Sequence, residues 1–316
     1  MKQPSPLVTV IVPLKDRLEL LEETIASLKS QTSKSWCVLL VDDGSSDATK
    51  DYLRDLSAKD NRFRVLERKT GHSGPNACRN LGVREAISEY VVFLDSDDIL
   101  SSESLGRRVN VMENNRDIDF ALFSSRVFCN NVDDSRTWFR DWNGVSELDR
   151  MLRMEWPINI SSPIWRRSFL LKTDLFDETL PSWDDWEMHV RILAGNPRYL
   201  RFIESDFYYR SVEDYSRLSY VQFRDSVHLE SATNVFSKTV ALLKRHDLLN
   251  PERCHCLAEQ FFSIAFLSLS TDGVITSIKR LKKIKELSPG LTRISYFKYL
   301  IRLVYCGLKI KILRLR

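Results

Sequence analysis

No apolar run in this sequence of 316 residues reaches the roughly 18 residues that a membrane-spanning helix requires. The opening segment, 1–6, is short and polar, and we expect no secretory leader in it. The six cysteines are scattered, and we interpret them as free thiols in a reducing compartment. The sequence therefore argues against an integral membrane protein and against a disulfide-stapled secreted domain.

Glycine-rich phosphate loops are also missing. The first apolar run ends at Pro13, and the residues that follow, Leu14-Lys15-Asp16-Arg17, contain no glycine. This excludes a G-x-G-x-x-G dinucleotide fingerprint there and argues against an enzyme that forms sugar nucleotides, which normally opens with such a loop. Cys254-His255-Cys256 has the wrong spacing for a structural zinc site, and no second ligand pair follows it.

Acidic residues are nearly absent from the end of the chain. Hydrophobic residues make up 43% and charged residues 28%, which is typical of a globular protein, and the formal net charge is +4. The segment 279–316 carries many Lys and Arg but only one acid, Glu286. A basic end of this kind indicates an anionic partner, either lipid headgroups or nucleic acid.

Short apolar runs alternate with segments of helical spacing over the first hundred residues. The predicted strands are 7–12, 38–41, 63–66 and 90–94, and the predicted helices are 18–31, 47–56 (with Asp47 as N-cap) and 76–87. This alternation predicts βαβ units and a mostly parallel sheet covered on both faces. The sequence thus indicates an α/β fold in which ligands bind beyond the carboxyl ends of the strands.

The pattern changes toward the end of the chain. A strand at 118–123, a helix at 183–193 and short strands at 199–202 and 206–209 are followed from about 221 by almost continuous helical spacing. The predicted later helices are 223–243, 254–269, 276–287 and 296–313. We therefore predict a catalytic or binding domain over 1–220 and a helical, basic region over 221–316.

The segment Asp95-Ser96-Asp97-Asp98 follows the fourth predicted strand and holds three carboxylates within four residues. Unpaired, they would raise one another's pKa values, a conflict that a divalent cation resolves. Mg²⁺ and Mn²⁺ prefer oxygen ligands and commonly take one or two carboxylates plus substrate phosphates. The alternative is an exposed acidic turn that caps the next helix.

Three further polar groups carry candidate chemistry. Asp42 and Asp43 end the second strand, where a carboxylate can accept hydrogen bonds from a base or from ribose hydroxyls; the alternative is a simple turn. Arg79 either pairs with the negative charge of a diphosphate or is a solvent-exposed residue of a helix. Asp184 and Asp185 lie between two tryptophans. They supply either a general base in an apolar pocket whose aromatic faces can pack against a sugar, or acids that stabilise the start of a helix.

Taken in order, these motifs resemble the family 2 glycosyltransferases of the GT-A fold over roughly residues 5–215. The matching motifs are Val8-Thr9-Val10-Ile11-Val12-Pro13, Val41-Asp42-Asp43-Gly44-Ser45, Arg79-Asn80-Leu81-Gly82, Phe93-Leu94-Asp95-Ser96-Asp97-Asp98, Phe176-Asp177-Glu178 and Trp183-Asp184-Asp185. The resemblance implies a Rossmann-like, mostly parallel mixed sheet flanked by helices, with a C-terminal helical extension.

The resemblance also implies an activity and its residues. We expect a metal-dependent, inverting, single-displacement transfer from a UDP- or similarly activated sugar to a hydroxyl of a glycan or lipid-linked acceptor, in cell-surface polysaccharide or lipopolysaccharide synthesis. Asp43 would contact the base, Asp97 the ribose, and Asp185 would be the general base, beside Asp184 where the family more often has Glu. The implied donor-binding residues are Pro13, Asp16, Asp42, Asp43, Arg79, Asp95, Ser96 and Asp97, and the implied ligands of Mn²⁺ or Mg²⁺ are Asp95, Asp97 and Asp98.

The sequence departs from the family pattern at two places. The family usually has an aromatic residue and an Asn after Pro13, where this chain has Leu14-Lys15-Asp16-Arg17, so that Lys15 or Arg17 would stack on the base or meet phosphate. Arg210 and Arg217 are candidates for a cation that the family often carries after the last core strand.

The basic tail leaves its partner open. Residues 290–316 fit an amphipathic helix at a membrane surface, which predicts a cytoplasmic protein on the cytoplasmic face of the membrane; the alternatives are packing on the catalytic domain or contacts within a homo-oligomer. The rival function is a non-catalytic glycan- or nucleic-acid-binding protein on a GT-A scaffold. The intact acids at 95, 97, 98 and 185 argue against that rival, and nucleic acid is not an expected partner.

Overall fold

A computed structural model describes residues 6–69, 71–138, 144–211, 225–287, 296 and 298–305. The chain forms two compact units: Met1–Asn143, Ile158–Thr179 and Pro197–Val212 make the first, and Gly144–Pro157, Leu180–Asn196 and Glu213–Arg316 the second. The second unit thus takes two segments from within 1–220, the range predicted as one domain. The assignment of separate functions to 1–220 and 221–316 stays a prediction.

The first unit contains, within the described residues, one mixed sheet of nine strands. They are β1 (Val8–Leu14), β2 (Trp36–Asp42), β3 (Phe63–Glu67), β4 (Tyr90–Phe93), β5 (Ile99–Leu100), β6 (Phe120–Phe128), β7 (Arg136–Thr137), β8 (Pro163–Arg166) and β9 (Tyr199–Arg210). Their order is β3-β2-β1-β4-β8-β6-β9-β5, and β7 pairs with β6. The first four strands in this order are parallel, β8 runs antiparallel to both of its neighbours, and β6 and β9 are parallel.

Helices of the first unit connect and cover these strands. They are α1 (Leu18–Lys29), α2 (Asp47–Lys59), α3 (Pro75–Glu85), α4 (Ser104–Asn114) and the short α6 (Arg167–Leu170). Asp47 is the first residue of α2 and Ser46 its N-cap, so the prediction of Asp47 as N-cap was wrong by one position. The α/β sheet flanked by helices is confirmed.

Alternation along β1 explains how both faces of the sheet are covered. Val8, Val10 and Val12 belong to the core that α1, α2 and α4 help to form. Side chains alternate between the faces of a strand, so Ile11 points the other way, toward α3. There a Cβ added at Gly82 would lie 2.4 Å from Cγ2 of Ile11. Glycine at this position therefore lets α3 approach the sheet, which accounts for the glycine of Arg79-Asn80-Leu81-Gly82.

The later strands differ from their predictions. The two short strands predicted at 199–202 and 206–209 form the single strand β9, whose pairing with β6 shifts register between Phe123 and Ser125. The shift leaves Ile203 and Glu204 outside the paired positions, and both are exposed, which interrupts the apolar pattern. β8 had no counterpart among the predictions, and α4 was expected only in the alternative in which the acidic turn caps the next helix.

The second unit is helical. It contains α5 (Glu147–Leu152), α7 (Asp184–Ala194), α8 (Ser226–Arg245), α9 (Pro251–Thr271), α10 (Gly273–Leu281) and a 3-10 segment, Lys282–Leu287; Tyr296 and 298–305 are also helical. The side chains of Asp225 and Asn250 accept hydrogen bonds of 2.9 and 2.8 Å from backbone N–H groups in the first turns of α8 and α9. The helical C-terminal extension is confirmed, and 306–313, the rest of the last predicted helix, lies outside the described residues.

The membrane-spanning potential of the helices and the state of the cysteines can be compared with the sequence-based expectations. No helix within the described residues has the length and hydropathy needed to cross a membrane. The described cysteines are free thiols, and Cys254 is buried in α9 with its Sγ 3.6 Å from the carbonyl oxygen of Leu287. Cys254 therefore packs within the second unit.

Candidate functional site

The carboxyl ends of three adjacent parallel strands meet at one edge of the sheet in the first unit. Within β2-β1-β4, Pro13 stands opposite Val41, and Ile11 stands opposite Phe93. The loops that follow these strands are 15–17, 43–46 and 95–98. The sheet therefore brings the predicted donor- and metal-binding residues of the first unit to a common edge. We call these three loops, together with Pro13 and Asp42 at the strand ends and Arg79 of α3, which meets Asp95, the rim.

Asp16 connects the first two rim loops. Its backbone N–H donates to Oγ of Ser45 at 2.8 Å, and its Oδ1 accepts from the N–H of Ser46 at 2.8 Å. The hydrogen bond from Ser46 lowers the pKa of Asp16 below its usual value. Asp42 is buried and accepts from the N–H of Ser45 at 3.0 Å and from its hydroxyl. Asp42 and Asp16 thus shape the loops through Ser45 and Ser46.

Asp43 lies between two donors of this chain. Its Oδ2 accepts from the N–H of Gly74 at 2.8 Å, and its Oδ1 accepts from Nε of Arg68. The side chain of Asp43 is nearly buried. Arg68 was not among the candidates, although it follows β3, the strand next to β2, and its N–H donates to the carbonyl oxygen of Asp42 at 3.0 Å. Position after an adjacent strand was the signal that could have found it.

The acidic turn Asp95–Asp98 meets two arginines. Oδ1 of Asp95 is 2.8 Å from a terminal guanidinium nitrogen of Arg79, and Oδ2 of Asp97 is 3.7 Å from one of Arg17. The Asp95 side chain is 32% exposed and the Asp97 side chain 8%. Ser96 between them is partly exposed. Opposite charges therefore already face the partly exposed Asp95 and the nearly buried Asp97.

Asp98 has a different environment from its neighbours because it is fully buried. Its Oδ1 accepts from the N–H of Arg210 at 3.0 Å, its Oδ2 accepts from the hydroxyl of Ser161 at 3.2 Å, and its carbonyl oxygen accepts from the hydroxyl of Thr24 at 2.9 Å. Burial, followed by the charges of Asp97 and Asp95, raises the pKa of Asp98 well above its usual value. Asp98 connects the acidic turn to α1, β9 and the segment before β8.

Arg210 supports the same turn from the end of β9. Its Nε donates to the carbonyl oxygen of Asp97 at 2.9 Å, and a terminal nitrogen donates to Glu23 at 2.6 Å. The guanidinium also lies 4.4 Å from the centre of the Phe128 ring. Arg210 was predicted on a loop after the last core strand; it lies within β9 and is buried. Arg217 lies outside the described residues.

Asn80 explains why two distant motifs occur together. Its side-chain amide donates to the carbonyl oxygen of Phe176 at 2.9 Å and to Glu178 at 2.8 Å, and its Oδ1 accepts from the N–H of Phe176 at 3.0 Å. The Phe176 ring in turn lies 5.4 Å from the guanidinium of Arg79. The motifs Arg79-Asn80-Leu81-Gly82 and Phe176-Asp177-Glu178 thus fix one another and hold Arg79 beside Asp95.

Asp184 and Asp185 belong to the second unit, where they begin α7. Both are partly exposed, and Oδ1 of Asp185 accepts from the N–H of Trp186 at 2.7 Å. Trp183 precedes the helix in the left-handed conformation, with φ of 68°. The rim residues belong to the first unit.

The tryptophans beside these acids do not offer faces for a sugar, which corrects one expectation. Trp183 and Trp186 are 3% and 0% exposed. They pack against Phe236, with ring centres 5.4 and 4.9 Å away, and Nε1 of Trp186 donates to the carbonyl oxygen of Met151 at 3.0 Å. They anchor the turn that carries Asp184 and Asp185, because buried aromatic contacts fix its backbone.

The donor atoms of the rim fit a hard divalent cation. No group of three or more His, Cys, Asp or Glu side chains arranged to hold a metal occurs in the part of the chain that the structure describes. Asp95 supplies a partly exposed carboxylate and Asp97 a nearly buried one, and Mg²⁺ is commonly bound by one or two carboxylates plus substrate phosphates. The fit is therefore to a cation that is held jointly with a phosphate ligand.

Comparisons with known proteins agree with this geometry. The family model described as "Glycosyl transferase family 2" matches residues 9–175, more than half of the chain. The chain is 39% identical over 100 residues to GalNAc(5)-diNAcBac-PP-undecaprenol beta-1,3-glucosyltransferase of Campylobacter jejuni, over 32% of each chain. For relatives from two Rickettsia species, Haemophilus influenzae and C. jejuni, the match covers 17 to 44% of the relative's own length.

Two solved structures have the same fold as this chain. S. aureus TarS 1-349 in complex with UDP-GlcNAc has a TM-score of 0.60 at 17% identity, over 89% of each chain. The mannosyltransferase PcManGT of Pyrobaculum calidifontis in complex with GDP-Man and Mn²⁺ has a TM-score of 0.57 at 17% identity, over 97% of this chain and 91% of that one.

Proposed function

The chain belongs to glycosyl transferase family 2, and on that basis we propose that it moves a sugar, with inversion, from a nucleoside diphosphate sugar to a hydroxyl of a glycan or lipid-linked acceptor. The observation that carries the proposal is the acidic turn Asp95–Asp98 at the carboxyl edge of three parallel strands, faced by Arg79 and Arg17. Ligands of open α/β sheets bind beyond this edge. The family membership makes the chain a glycosyltransferase rather than the non-catalytic binding protein considered above.

Each of the rim residues would contact a different part of the donor. Asp43, already oriented by Gly74 and Arg68, would accept a hydrogen bond from the base, and Asp97 would contact the ribose. Pro13, Asp16, Asp42 and Ser96 would shape the loops around the nucleotide. Arg79 would lie beside the diphosphate. UDP is the expected nucleotide, and the bound UDP-GlcNAc of the S. aureus structure and GDP-Man of the P. calidifontis structure support a nucleoside diphosphate sugar.

Asp95 and Asp97, together with the donor phosphates, would hold Mn²⁺ or Mg²⁺. When bound, the cation stabilises the negative charge that develops on the leaving diphosphate. Asp98 was also expected to be a ligand. Its burial and its bonds to Ser161 and Arg210 favour a supporting role instead, in which it fixes the turn that presents the other two acids.

Asp185 would act as the general base. It would accept the proton of the acceptor hydroxyl while that oxygen attacks the anomeric carbon from the face opposite the diphosphate. A bond forms between the acceptor oxygen and the anomeric carbon, the bond from that carbon to the diphosphate oxygen breaks, and the electron pair leaves with the nucleoside diphosphate. Asp184, next to it at the start of α7, would assist in orienting the acceptor.

The setting of the reaction is the synthesis of cell-surface polysaccharide or lipopolysaccharide at the cytoplasmic face of the membrane. The name of the C. jejuni relative, whose acceptor is linked to undecaprenol through diphosphate, supports a lipid-linked acceptor. We assign donor binding and chemistry to 1–220 and acceptor, membrane-surface or oligomer contacts to 221–316.

A nucleotide screen tests the proposal directly. At least one of UDP, GDP, CDP and dTDP is expected to raise the melting temperature of the protein when Mn²⁺ or Mg²⁺ is present, because a ligand at 100 times its Kd adds about 2.7 kcal/mol to stability. The sugar conjugate of that nucleotide should then release free nucleoside diphosphate during incubation with the protein. Failure of all four nucleotides to bind in the presence of both metals would contradict the proposal.

The end of the chain supports contact with a membrane surface. In the second unit, Tyr299 and Leu303 are buried, and the hydroxyl of Tyr299 donates to Glu259 of α9 at 2.8 Å. Ile301, Val304 and Tyr305 have the spacing of one helix face and are 64%, 42% and 57% exposed. An exposed apolar stripe on a basic helix is typical of interfacial binding.

The I301S/V304S double variant is expected to lose flotation with vesicles containing anionic lipid, while the wild type floats. This variant keeps Tyr299 and Leu303, which pack within the unit, so it tests the exposed stripe without uncovering α9. Removal of 290–316 should have the same effect. If both altered proteins floated as the wild type does, the tail would not bind the membrane surface, and its contacts would lie within the protein.

A further inference from the structure

The first unit contains a buried ion pair that the proposed chemistry does not use. The side chains of Arg108 in α4 and Asp206 in β9 are fully buried. Nε and one terminal nitrogen of Arg108 donate to the two carboxylate oxygens of Asp206 at 2.7 and 2.6 Å. The guanidinium lies 5.2 Å from the ring centre of Phe123 and 5.5 Å from that of Phe207. The pair is therefore held in one geometry among aromatic rings.

Stability alone is a weak reason for such a pair. Taking two charges out of water costs free energy that their mutual attraction has to offset, and apolar side chains of similar volume often stabilise a core as well or better. Hydrogen bonds differ from apolar contacts in having a direction, so a buried pair can fix the orientation of a third group. The question is then which group Arg108 orients.

The other terminal nitrogen of Arg108 connects the pair to the acidic turn. It donates to the carbonyl oxygen of Ser161 at 2.8 Å, and the hydroxyl of Ser161 donates to Oδ2 of Asp98 at 3.2 Å. Ser161 is fully buried, and its N–H donates to Oδ1 of Asn159 at 3.0 Å. The N–H, the carbonyl and the hydroxyl of Ser161 are thus all engaged, which fixes the direction of its hydroxyl toward Asp98.

Asp98 passes this constraint to its neighbours in the turn. Its N–H donates to the carbonyl oxygen of Asp95 at 3.1 Å. Its Oδ1 accepts from the N–H of Arg210, whose Nε donates to the carbonyl oxygen of Asp97 at 2.9 Å. A displacement of the Asp98 carboxylate would therefore move the backbone that carries the side chains of Asp95 and Asp97.

From these contacts we infer that Arg108 and Ser161 are positioning residues for the cation that Asp95 and Asp97 would hold with the donor phosphates. The inference rests on the proposed function and deepens it. Arg108 orients Ser161, Ser161 orients Asp98, and Asp98 fixes the turn that presents the two carboxylates. Residues that orient metal ligands without touching the metal typically change metal affinity by about 10- to 100-fold when they are altered.

Ser161→Ala tests the contact with Asp98. The Mn²⁺ concentration required for half-maximal binding of the nucleoside diphosphate should rise by about tenfold, the lower end of that range. The substitution keeps the backbone carbonyl that Arg108 binds, so the ion pair stays intact. Isothermal titration calorimetry on the full chain would use the diphosphate among UDP, GDP, CDP and dTDP that binds the wild type, over a series of Mn²⁺ concentrations. The melting temperature of the unliganded protein would report stability.

Ser88→Ala provides the matched control. Ser88 is 4% exposed, and its Oγ accepts from the hydroxyl of Thr9 at 2.8 Å. It precedes β4, whereas the acidic turn follows that strand, so it lies at the opposite end of the sheet. Each of the two alanine variants loses one buried hydrogen bond of a hydroxyl, so both should lower the melting temperature to a similar extent. Ser88→Ala should leave the Mn²⁺ requirement unchanged.

The R108M/D206L double variant separates positioning from stability. It replaces the ion pair with apolar side chains, a change that is often neutral or stabilising for a buried pair. Its melting temperature should stay near the wild-type value, and its Mn²⁺ requirement should rise as in Ser161→Ala. Should this variant fail to fold, Arg108→Lys takes its place with the same expected rise, because lysine keeps a charge opposite Asp206 but lacks the planar fork that also reaches Ser161.

The outcomes separate this inference from the function on which it rests. If the wild type binds none of the four diphosphates with Mn²⁺ or Mg²⁺, the proposed function fails and the inference fails with it. If the wild type binds one of them, an unchanged Mn²⁺ requirement in Ser161→Ala, or an equal rise in Ser88→Ala, would overturn the inference and leave the function standing. A folded R108M/D206L or Arg108→Lys variant with the wild-type requirement would show that Arg108 does not position the turn.

Discussion

The Asp185→Asn variant is expected to bind the donor nearly as the wild type does and to turn over about 10²- to 10⁴-fold more slowly, the range that a positioned general base contributes. Asparagine keeps the shape of the side chain but cannot accept the proton of the acceptor hydroxyl. The rate would be measured as release of nucleoside diphosphate from the sugar donor, with water as acceptor until the acceptor is known. Donor affinity would be measured separately by calorimetry.

The local structure should tolerate this substitution. The Oδ1 atom of asparagine can still accept from the N–H of Trp186, as Asp185 does at 2.7 Å. Trp183 and Trp186 remain buried against Phe236, so the turn before α7 keeps its anchors. The loss of one negative charge at a helix start costs about 0.3–1 kcal/mol. A large fall in rate would therefore report chemistry rather than unfolding.

Glu187→Gln is the control for the charge at the start of α7. Glu187 lies in the same first turn and contacts Arg191 at 2.8 Å, a contact that glutamine can keep. This variant should retain most of the wild-type rate, and Asp184→Asn should show a smaller loss than Asp185→Asn. If Asp185→Asn kept more than about a tenth of the wild-type rate, the general base would have to be sought elsewhere.

The parallel part of the sheet could be predicted because each of its strands is covered on both faces. Buried parallel strands are continuous apolar runs, and β1 to β4 were all found near their predicted positions. β9 was predicted as two strands because Ile203 and Glu204 are exposed where its pairing with β6 shifts. α4 was expected only in the alternative in which the acidic turn caps the next helix, although Leu105, Val109 and Met112 have helical spacing.

The position of the acidic turn could also be predicted, because it follows directly from the end of β4. Its supports could not, since they come from residues far away in the sequence. Arg210 binds Asp98 across 112 positions and Ser161 binds it across 63. Local composition does not encode such contacts, so the bonds that hold Asp98 appeared only in three dimensions.

Chelation is the second change with a large expected effect. EDTA should reduce transfer to the background rate, and added Mn²⁺ or Mg²⁺ should restore it. The guanidiniums of Arg79 and Arg17 already offset the charges of Asp95 and Asp97, so the negative charge of a bound diphosphate is left without a counter-charge when the cation is removed. Release of nucleoside diphosphate would be followed before chelation, after it, and after dialysis into each metal.

The guanidiniums of the rim are the alternative source of positive charge to a metal cation. The chelation experiment therefore has a clear contrary outcome. If transfer continued at the full rate in EDTA, the positive charge at the diphosphate would have to come from Arg79 and Arg17, which already face the two acids. Arg17→Gln would then abolish the chelator-resistant rate, whereas Lys15→Gln would leave it. If activity instead depends on the metal, Arg17→Gln should raise the donor concentration required and still respond to added Mn²⁺, because Asp95 and Asp97 remain to hold the ion with the phosphates.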